Sequence, residues 1–146
     1  MTAAASVIHQ LVDAFNAQDR ASMRSFLAED THWTVLPGKE LRGADRILDY
    51  LCAMSAFPTF EMAITEVLGD DGTNVTSITT WSAVQGDKDF IDAFTGEPIP
   101  IPFPKGFKLG GQFLNFQSIV NGKVTRLVQA QDTLPMAMAV MAATAS

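Results

Sequence analysis

The stretch that most restricts how this chain folds is residues 107–132, FKLGGQFLNFQSIVNGKVTRLVQAQD, where two runs of alternating apolar and polar residues flank Val-Asn-Gly. Alternation with a period of two marks a half-buried strand, so Phe113 to Val120 and Val124 to Asp132 read as the arms of a β-hairpin. The turn decides which side chains meet. A two-residue Asn121-Gly122 turn pairs Val120 with Lys123, sets Asn115 opposite Val128 and leaves Gln129 on the other face of the sheet. A three-residue loop with Gly122 left-handed in a bulge pairs Ile119 with Lys123 instead. That one-residue change of register brings Asn115 and Gln129 onto a shared face. The bulged loop is favoured, because it also places Phe113, Ile119 and Leu127 on that face and turns Arg126 away. Two amides on an apolar face are the candidate functional feature. The plainer alternative is that they satisfy each other, or nearby backbone, across a diagonal pair.

At 146 residues the chain fits one domain, and no linker or internal repeat divides it. Ten basic against sixteen acidic residues give a net charge of -6 with no basic run, which argues against a nucleic-acid partner. A lone cysteine, Cys52, excludes an internal disulfide, and the start MTAAASVIHQL lacks the pattern of a secretory signal, so a cytoplasmic protein is expected. No apolar run has the length of a bilayer span, so no membrane partner is expected. The apolar share of 47% against 18% charged implies apolar surface lining a cavity or a subunit interface.

Along the chain, Val7, Ile8, Leu11, Val12 and Phe15 recur at helical spacing. Asp19 suits the N-cap of a short second helix carrying Met23, Phe26 and Leu27, and His32 to Leu36 reads as a strand stopped by Pro37-Gly38. Ile47, Leu48, Leu51 and Met54 form the stripe of a third helix that begins near Gly43 and ends at Pro58. Beyond it Phe60, Met62 and Ile64 alternate, Asp70-Asp71-Gly72 turns the chain, and Val75 to Val84 has strand composition. Helices early and strands late argue an α+β fold with helices on one face of a mostly antiparallel sheet. Residues 86–106 break the pattern: prolines at 98, 100, 102 and 104 forbid a central strand. The bulky Ile99, Ile101 and Phe103 make this an edge segment packed on the core or a partner subunit, or a lid over a pocket mouth. Pro135, Met136, Met138 and Met141 belong to a last helix or a frayed end.

The segments NAQDRASMRSFLAEDTHWTVLPG, LRGADRIL and NGKVTRLVQAQD together resemble the nuclear-transport-factor-2-like superfamily. Within it, the likeness is to SnoaL-like polyketide cyclases, limonene epoxide hydrolases and ketosteroid isomerases. The resemblance covers about the whole chain apart from the proline-rich insertion. It implies three N-terminal helices packed on a curved, mostly antiparallel sheet, a cystatin-like α+β barrel with an apolar conical pocket, in a homodimer. Carried over position by position, it implies little retained chemistry. The cyclases' catalytic aspartate and histidine fall on Gln129 and Asn115. The epoxide hydrolases' Asp-Arg-Asp set falls on Thr79, Trp81 and Gln129, and their tyrosine and asparagine fall near Trp33 and Val35. The isomerases' base and tyrosine fall on Leu36 and Leu11. Asp132 matches an aspartate that looks structural across these families.

A neutral amide does not abstract a proton from carbon near pH 7, but it donates a hydrogen bond to a developing oxyanion or holds a ligand carbonyl. The expected catalytic or orienting residues are therefore Asn115 and Gln129. The expected pocket wall is Phe15, Trp33, Val35, Thr79, Trp81, Phe113 and Leu127, around a small apolar molecule. Two functions follow from this reading. One is isomerisation, cyclisation or hydrolysis of an apolar oxygenated metabolite. The other is ligand binding or dimeric assembly without catalysis. His9 and His32 have no second metal-type ligand at useful spacing, and neither a metal nor a cofactor is expected. If Trp33 faces in, His32 faces out. Cys52 reads as a packing residue with no positive group nearby, and Gly110-Gly111 as a bulge that bends the sheet.

Overall fold

The structure, a computed structural model, describes residues 1–36, 38–87, 90–92, 94–99, 104–131, 138 and 141–142. Helix α1 spans Ala3–Asn16, α2 Arg20–Ser25 and α3 Ala44–Ala53, the last running into a 3-10 turn at Met54–Ala56 before Pro58. Thr2 caps α1 by accepting from the Ala5 N–H at 3.1 Å, and its hydroxyl donates to Asp70 Oδ2 at 2.6 Å. That bond ties the helix start to the Asp70-Asp71-Gly72 turn and holds the Asp70 carboxyl below its ordinary pKa. Asp19 caps α2, as its sequence position implies, through the Ser22 N–H.

Among the described residues eight strands follow the helices or alternate with them: β1 Leu27–Leu36, β2 Lys39–Arg42, β3 Thr59–Asp70, β4 Asn74–Val84, β5 Phe90–Ile91, β6 Pro98–Ile99, β7 Lys108–Val120 and β8 Lys123–Gln131. Six of them form a curved, unclosed sheet in the order β2-β1-β8-β7-β4-β3, antiparallel throughout except for the β1–β8 pair. This is the α+β cone that the sequence implies, with β1 longer than His32–Leu36 and with β2 absent from the sequence reading. Four residues between two glycines are too few to show a periodicity.

The core lies between α1, α3 and the concave face of the sheet. Phe15, Ile8, Met23, Leu27, Leu41 and Ile47 are among its fully buried side chains. Each is worth roughly 1.5–3 kcal/mol on burial. Edge strand β3 is fixed to α1 by Asn16, whose amide donates to the Met62 carbonyl and accepts from the Met62 N–H, both at 2.8 Å.

The hairpin β7–β8 combines features of both turns considered for it. Val120 pairs with Lys123, and Asn121 and Gly122 carry φ of 51° and 72°, so the turn has two residues. The expected three-residue loop is not formed. The extra residue is Thr125, inside β8: Ile119 pairs with Val124 but Ser118 pairs with Arg126, and Thr125 Oγ1 donates to the Ser118 carbonyl at 3.2 Å. The parity therefore changes within β8 rather than in the hairpin loop, and Asn115 and Gln129 face each other directly rather than diagonally.

Gly110 and Gly111 are not a bulge, since their pairing with Ser82 and Trp81 is continuous. Gly111 makes room for a ring instead: a Cβ there would lie 2.9 Å from Trp81 Nε1. Within the proline-rich stretch, Phe90–Ile91 and Pro98–Ile99 form a separate two-stranded ribbon. The placements expected of Pro37, Pro100, Ile101, Pro102, Phe103, Asp132, Pro135 and Met136 lie outside the described residues. Met138 and Met141 are exposed.

Helix α3 depends on Gly43, which donates from its N–H to the Thr31 carbonyl at 2.9 Å and accepts from Ile47 while holding φ 91° and ψ 140°. Side chains strongly disfavour that conformation. Gly43→Ala should cost roughly 1–3 kcal/mol and lower Tm by several degrees, as read by circular dichroism. An unchanged Tm would mean the strain is absent.

Candidate functional site

The concave face of the sheet, closed over by α1 and α3, encloses a cavity. The space open to a water's centre is about 80 Å³. That is several times the ~10–15 Å³ one water needs and about half the ~150 Å³ of a cavity that holds a benzene, so a ring compound enters as the side chains of the wall give way. Ile8, Leu11, Val12 and Phe15 come down from α1; Tyr50 and Leu51 come from α3, with Met54 just after it. The floor comes from alternate residues of the strands: Phe60, Met62 and Ile64 of β3, Thr79 of β4, Phe113, Asn115 and Gln117 of β7, Leu127 and Gln129 of β8, and Trp33 of β1. A second groove of about 250 Å³, lined by polar residues such as Asn16, Ser55 and Glu61, adjoins it and shares Met54 and Phe60.

Seven of the nine expected site residues line this cavity: Phe15, Trp33, Thr79, Phe113, Asn115, Leu127 and Gln129. Val35 and Trp81 are not among the lining residues. Val35 is 2% exposed within the core. Trp81 stacks between two rings that do line the cavity, with centroids 5.3 Å from Phe60 and 6.0 Å from Phe113. It braces the wall from one row further along the sheet, and Gly111 accommodates its indole.

The polar part of the floor is a ladder of carboxamides. Gln131 Nε2 donates to Gln129 Oε1 at 3.3 Å, Gln129 Nε2 to Asn115 Oδ1 at 3.2 Å, and Asn115 Nδ2 to Thr79 Oγ1 at 3.0 Å. The direction is a property of the whole ladder, because a carboxamide's two ends have the same shape. Asn115 and Gln129 are thus partnered with each other, as the plainer sequence reading had it, and still line the cavity. Each has a second amide hydrogen not used in the ladder.

Three polar residues escaped the sequence reading. Gln117 lies two residues beyond Asn115 on the same face and is 6% exposed. The alternation that singled out Asn115 also contains it. Ser77, opposite Asn115, is fully buried and its hydroxyl has no partner. Tyr50, the one tyrosine of the chain, projects from α3, where the periodicity marks only the apolar stripe.

Among the described lining residues Tyr50 is the only titratable group, and burial pushes its phenol above the ordinary 10.0. It therefore stays a neutral donor at physiological pH. What the arrangement offers is hydrogen bonding without charge. His32 faces outward, between Arg126 (Nη1 at 2.9 Å) and Glu40 (Oε2 at 3.2 Å), as its alternation with Trp33 implies. Cys52 does have a positive neighbour, contrary to expectation: Arg20 Nη1 lies 3.5 Å from its Sγ. No group of His, Cys, Asp and Glu among the described residues is arranged to hold a metal ion, and no described helix is long and apolar enough to cross a membrane.

A phenol whose pKa is raised on folding leaves stability independent of its titration below the unfolded value, and stability falls as pH rises beyond that toward the folded pKa. Tyrosinate absorbance should thus appear at higher pH in the folded chain than in the chain unfolded in guanidinium, and Tyr50→Phe should remove the signal entirely. Coincident titrations would contradict the buried setting.

Residues 8–127 match the family model of the SnoaL-like domain. Several solved structures share the fold. A candidate polyketide cyclase from Xanthomonas campestris pv. campestris superposes with a TM-score of 0.74 at 20% identity, covering 94% of this chain and 96% of that one. An LEH-like epoxide hydrolase from M. tuberculosis superposes at 0.71 with 16% identity over 96% and 90%. A candidate ketosteroid isomerase from Kribbella flavida superposes at 0.58 with 16% identity over 87% and 76%. Among curated proteins, none matches the sequence.

Proposed function

From the premise that the chain belongs to the SnoaL-like domain family, we propose that it takes a neutral, mainly apolar oxygenated metabolite into the cavity and promotes its isomerisation, cyclisation or hydrolysis. The observation that carries this reading is the ladder Gln129-Asn115-Thr79 set in a floor that is apolar apart from it and Gln117. Each carboxamide keeps one hydrogen for a ligand oxygen, and donation along the ladder polarises the next donor. Preorganised donors of this kind stabilise charge that develops on an oxygen in the transition state, at about 2.7–4 kcal/mol for one good donor. Tyr50, held neutral, is the acid available to such an oxygen. The apolar walls contribute by folding and orienting a flexible substrate.

A second reading, binding without turnover, is favoured by the mutual hydrogen bond of Asn115 and Gln129, which gives each a partner without a ligand. Thermal shift against apolar lactones, steroids, terpene epoxides and aromatic polyketides, with product analysis of every hit, separates the two. A compound at a hundred times its Kd should add about 2.7 kcal/mol of stability, or several degrees. The shift should be lost in Asn115→Leu/Gln129→Leu. A hit recovered unchanged after long incubation supports binding alone, and a shift that persists in the double variant would remove the amides from the site.

The same reading includes a homodimer in a cytoplasmic setting. The outer face of β7 exposes Leu114 and Phe116, 46% and 41% accessible, and their cross-strand neighbours Ile78 and Val128 extend the apolar surface. Contiguous apolar surface of this kind marks interaction sites. Leu114→Glu/Phe116→Glu should shift the sedimentation coefficient from dimer to monomer. A wild-type chain that sediments as a monomer at micromolar concentration would rule the dimer out.

A further inference from the structure

Gln117 differs from every other amide of the floor in having nothing to bond. Its carboxamide lines the cavity at 6% exposure, and no described side chain or backbone group hydrogen-bonds it. Its cross-strand neighbours are Leu127 on β8 and Val75 on β4, 4% and 0% exposed, and neither has a polar side-chain atom. One step further along the same row, beyond Leu127, stands Trp33, 5% exposed, whose indole N–H also lacks a partner. A buried indole N–H and a carboxamide open to the cavity, neither with a partner in the protein, therefore sit at the same end of the floor, where the ladder does not reach. An unsatisfied buried polar group is costly, and native structures pair such groups with protein, water or ligand.

A primary carboxamide presents an acceptor and a donor side by side. A ligand that offers only an acceptor, such as a ketone, ester or lactone, answers the N–H and leaves the Gln117 carbonyl unpaired. A ligand with an N–H or O–H adjacent to a carbonyl answers both at once, in a cyclic two-point contact. A charged ligand finds no counter-charge among the described lining residues and pays the desolvation cost in full. Resting on the reading of the cavity as a ligand site, we infer that Gln117 is a specificity-determining residue that selects neutral, mostly apolar ring compounds carrying a donor next to a carbonyl, as in a lactam or a hydroxy-carbonyl.

Three bicycles of nearly equal size separate the possibilities: 2-quinolinone with N–H beside C=O, coumarin with a ring oxygen in that place, and naphthalene with neither. Dissociation constants are measured for the wild type and for Gln117→Met, which keeps length while removing the amide. The ratio of the coumarin constant to the 2-quinolinone constant should fall about tenfold in the variant, equivalent to about 1.4 kcal/mol. Comparing ratios cancels each compound's own hydration. In the wild type, the Gln117 side-chain amide proton resonances should move on adding 2-quinolinone and stay in place with naphthalene, a readout independent of whether the variant folds. Equal ratios in both proteins, or an amide resonance indifferent to 2-quinolinone, would overturn the Gln117 assignment while leaving the cavity as a binding site. Failure of all three bicycles to bind the wild type would overturn both.

Discussion

The register between β7 and β8 carries the rest of the sheet, because these strands stand at its centre, with β1 and β2 on one side and β4 and β3 on the other. That register rests on two local devices a few residues apart. Asn121 and Gly122 accept the positive φ that a tight two-residue turn demands. Thr125 then adds one residue to β8, so that Leu127 and Gln129 face inward while Arg126 is exposed. If Thr125 paired regularly with Ser118 instead of bulging, every side chain beyond it would change faces, and a cation would replace an apolar group over the core. Burying Arg126 unpaired would cost far more than the bulge, which keeps most of the ladder hydrogen bonds.

A consequence is the chemistry of the floor. Direct pairing of Asn115 with Gln129 brings two carboxamides within one hydrogen bond and closes most of their needs internally. Polar groups in an apolar cavity are tolerable only when partnered. Asn115, Gln129 and Thr79 meet that condition by themselves, whereas Gln117 does not. The residues that drew attention by being polar among apolar neighbours are thus the ones with a structural reason to be there. The residue beside them lacks that reason.

The α+β layout, three helices, the Asp19 cap and the inward faces of Trp33 and Phe113 were legible because each follows from local periodicity or capping chemistry, but the second helix stops at Ser25, and Leu27, expected on it, opens β1. Strand β2 was not, since Lys39–Arg42 is too short and too charged to alternate. The shared face of Asn115 and Gln129 was legible, but its cause was not. A bulge at Thr125 leaves no mark in composition, whereas Asn-Gly advertises a turn. Gly110-Gly111 misled for a related reason: a strand glycine signals either a bend or a close neighbour, and only the position of Trp81 decides between them. Val35 alternates correctly with Trp33, yet it packs in the core beyond the cavity. Periodicity fixes a face and says nothing of how far along that face a cavity extends.

Charge is the other constraint on what this cavity does. With a net charge of -6 overall and only a neutral phenol titrating among the described lining residues, the cavity presents neutral hydrogen-bonding groups and no described ion. An anionic ligand would meet an unfavourable field on approach and no cation on arrival. A cationic ligand would be drawn in at long range, then face desolvation without a carboxylate to pair with. Both penalties vanish for a neutral ring. On the proposed function, selectivity for neutral molecules therefore needs no dedicated residue, and the carboxamides are left to distinguish one neutral molecule from another by the order of its donors and acceptors.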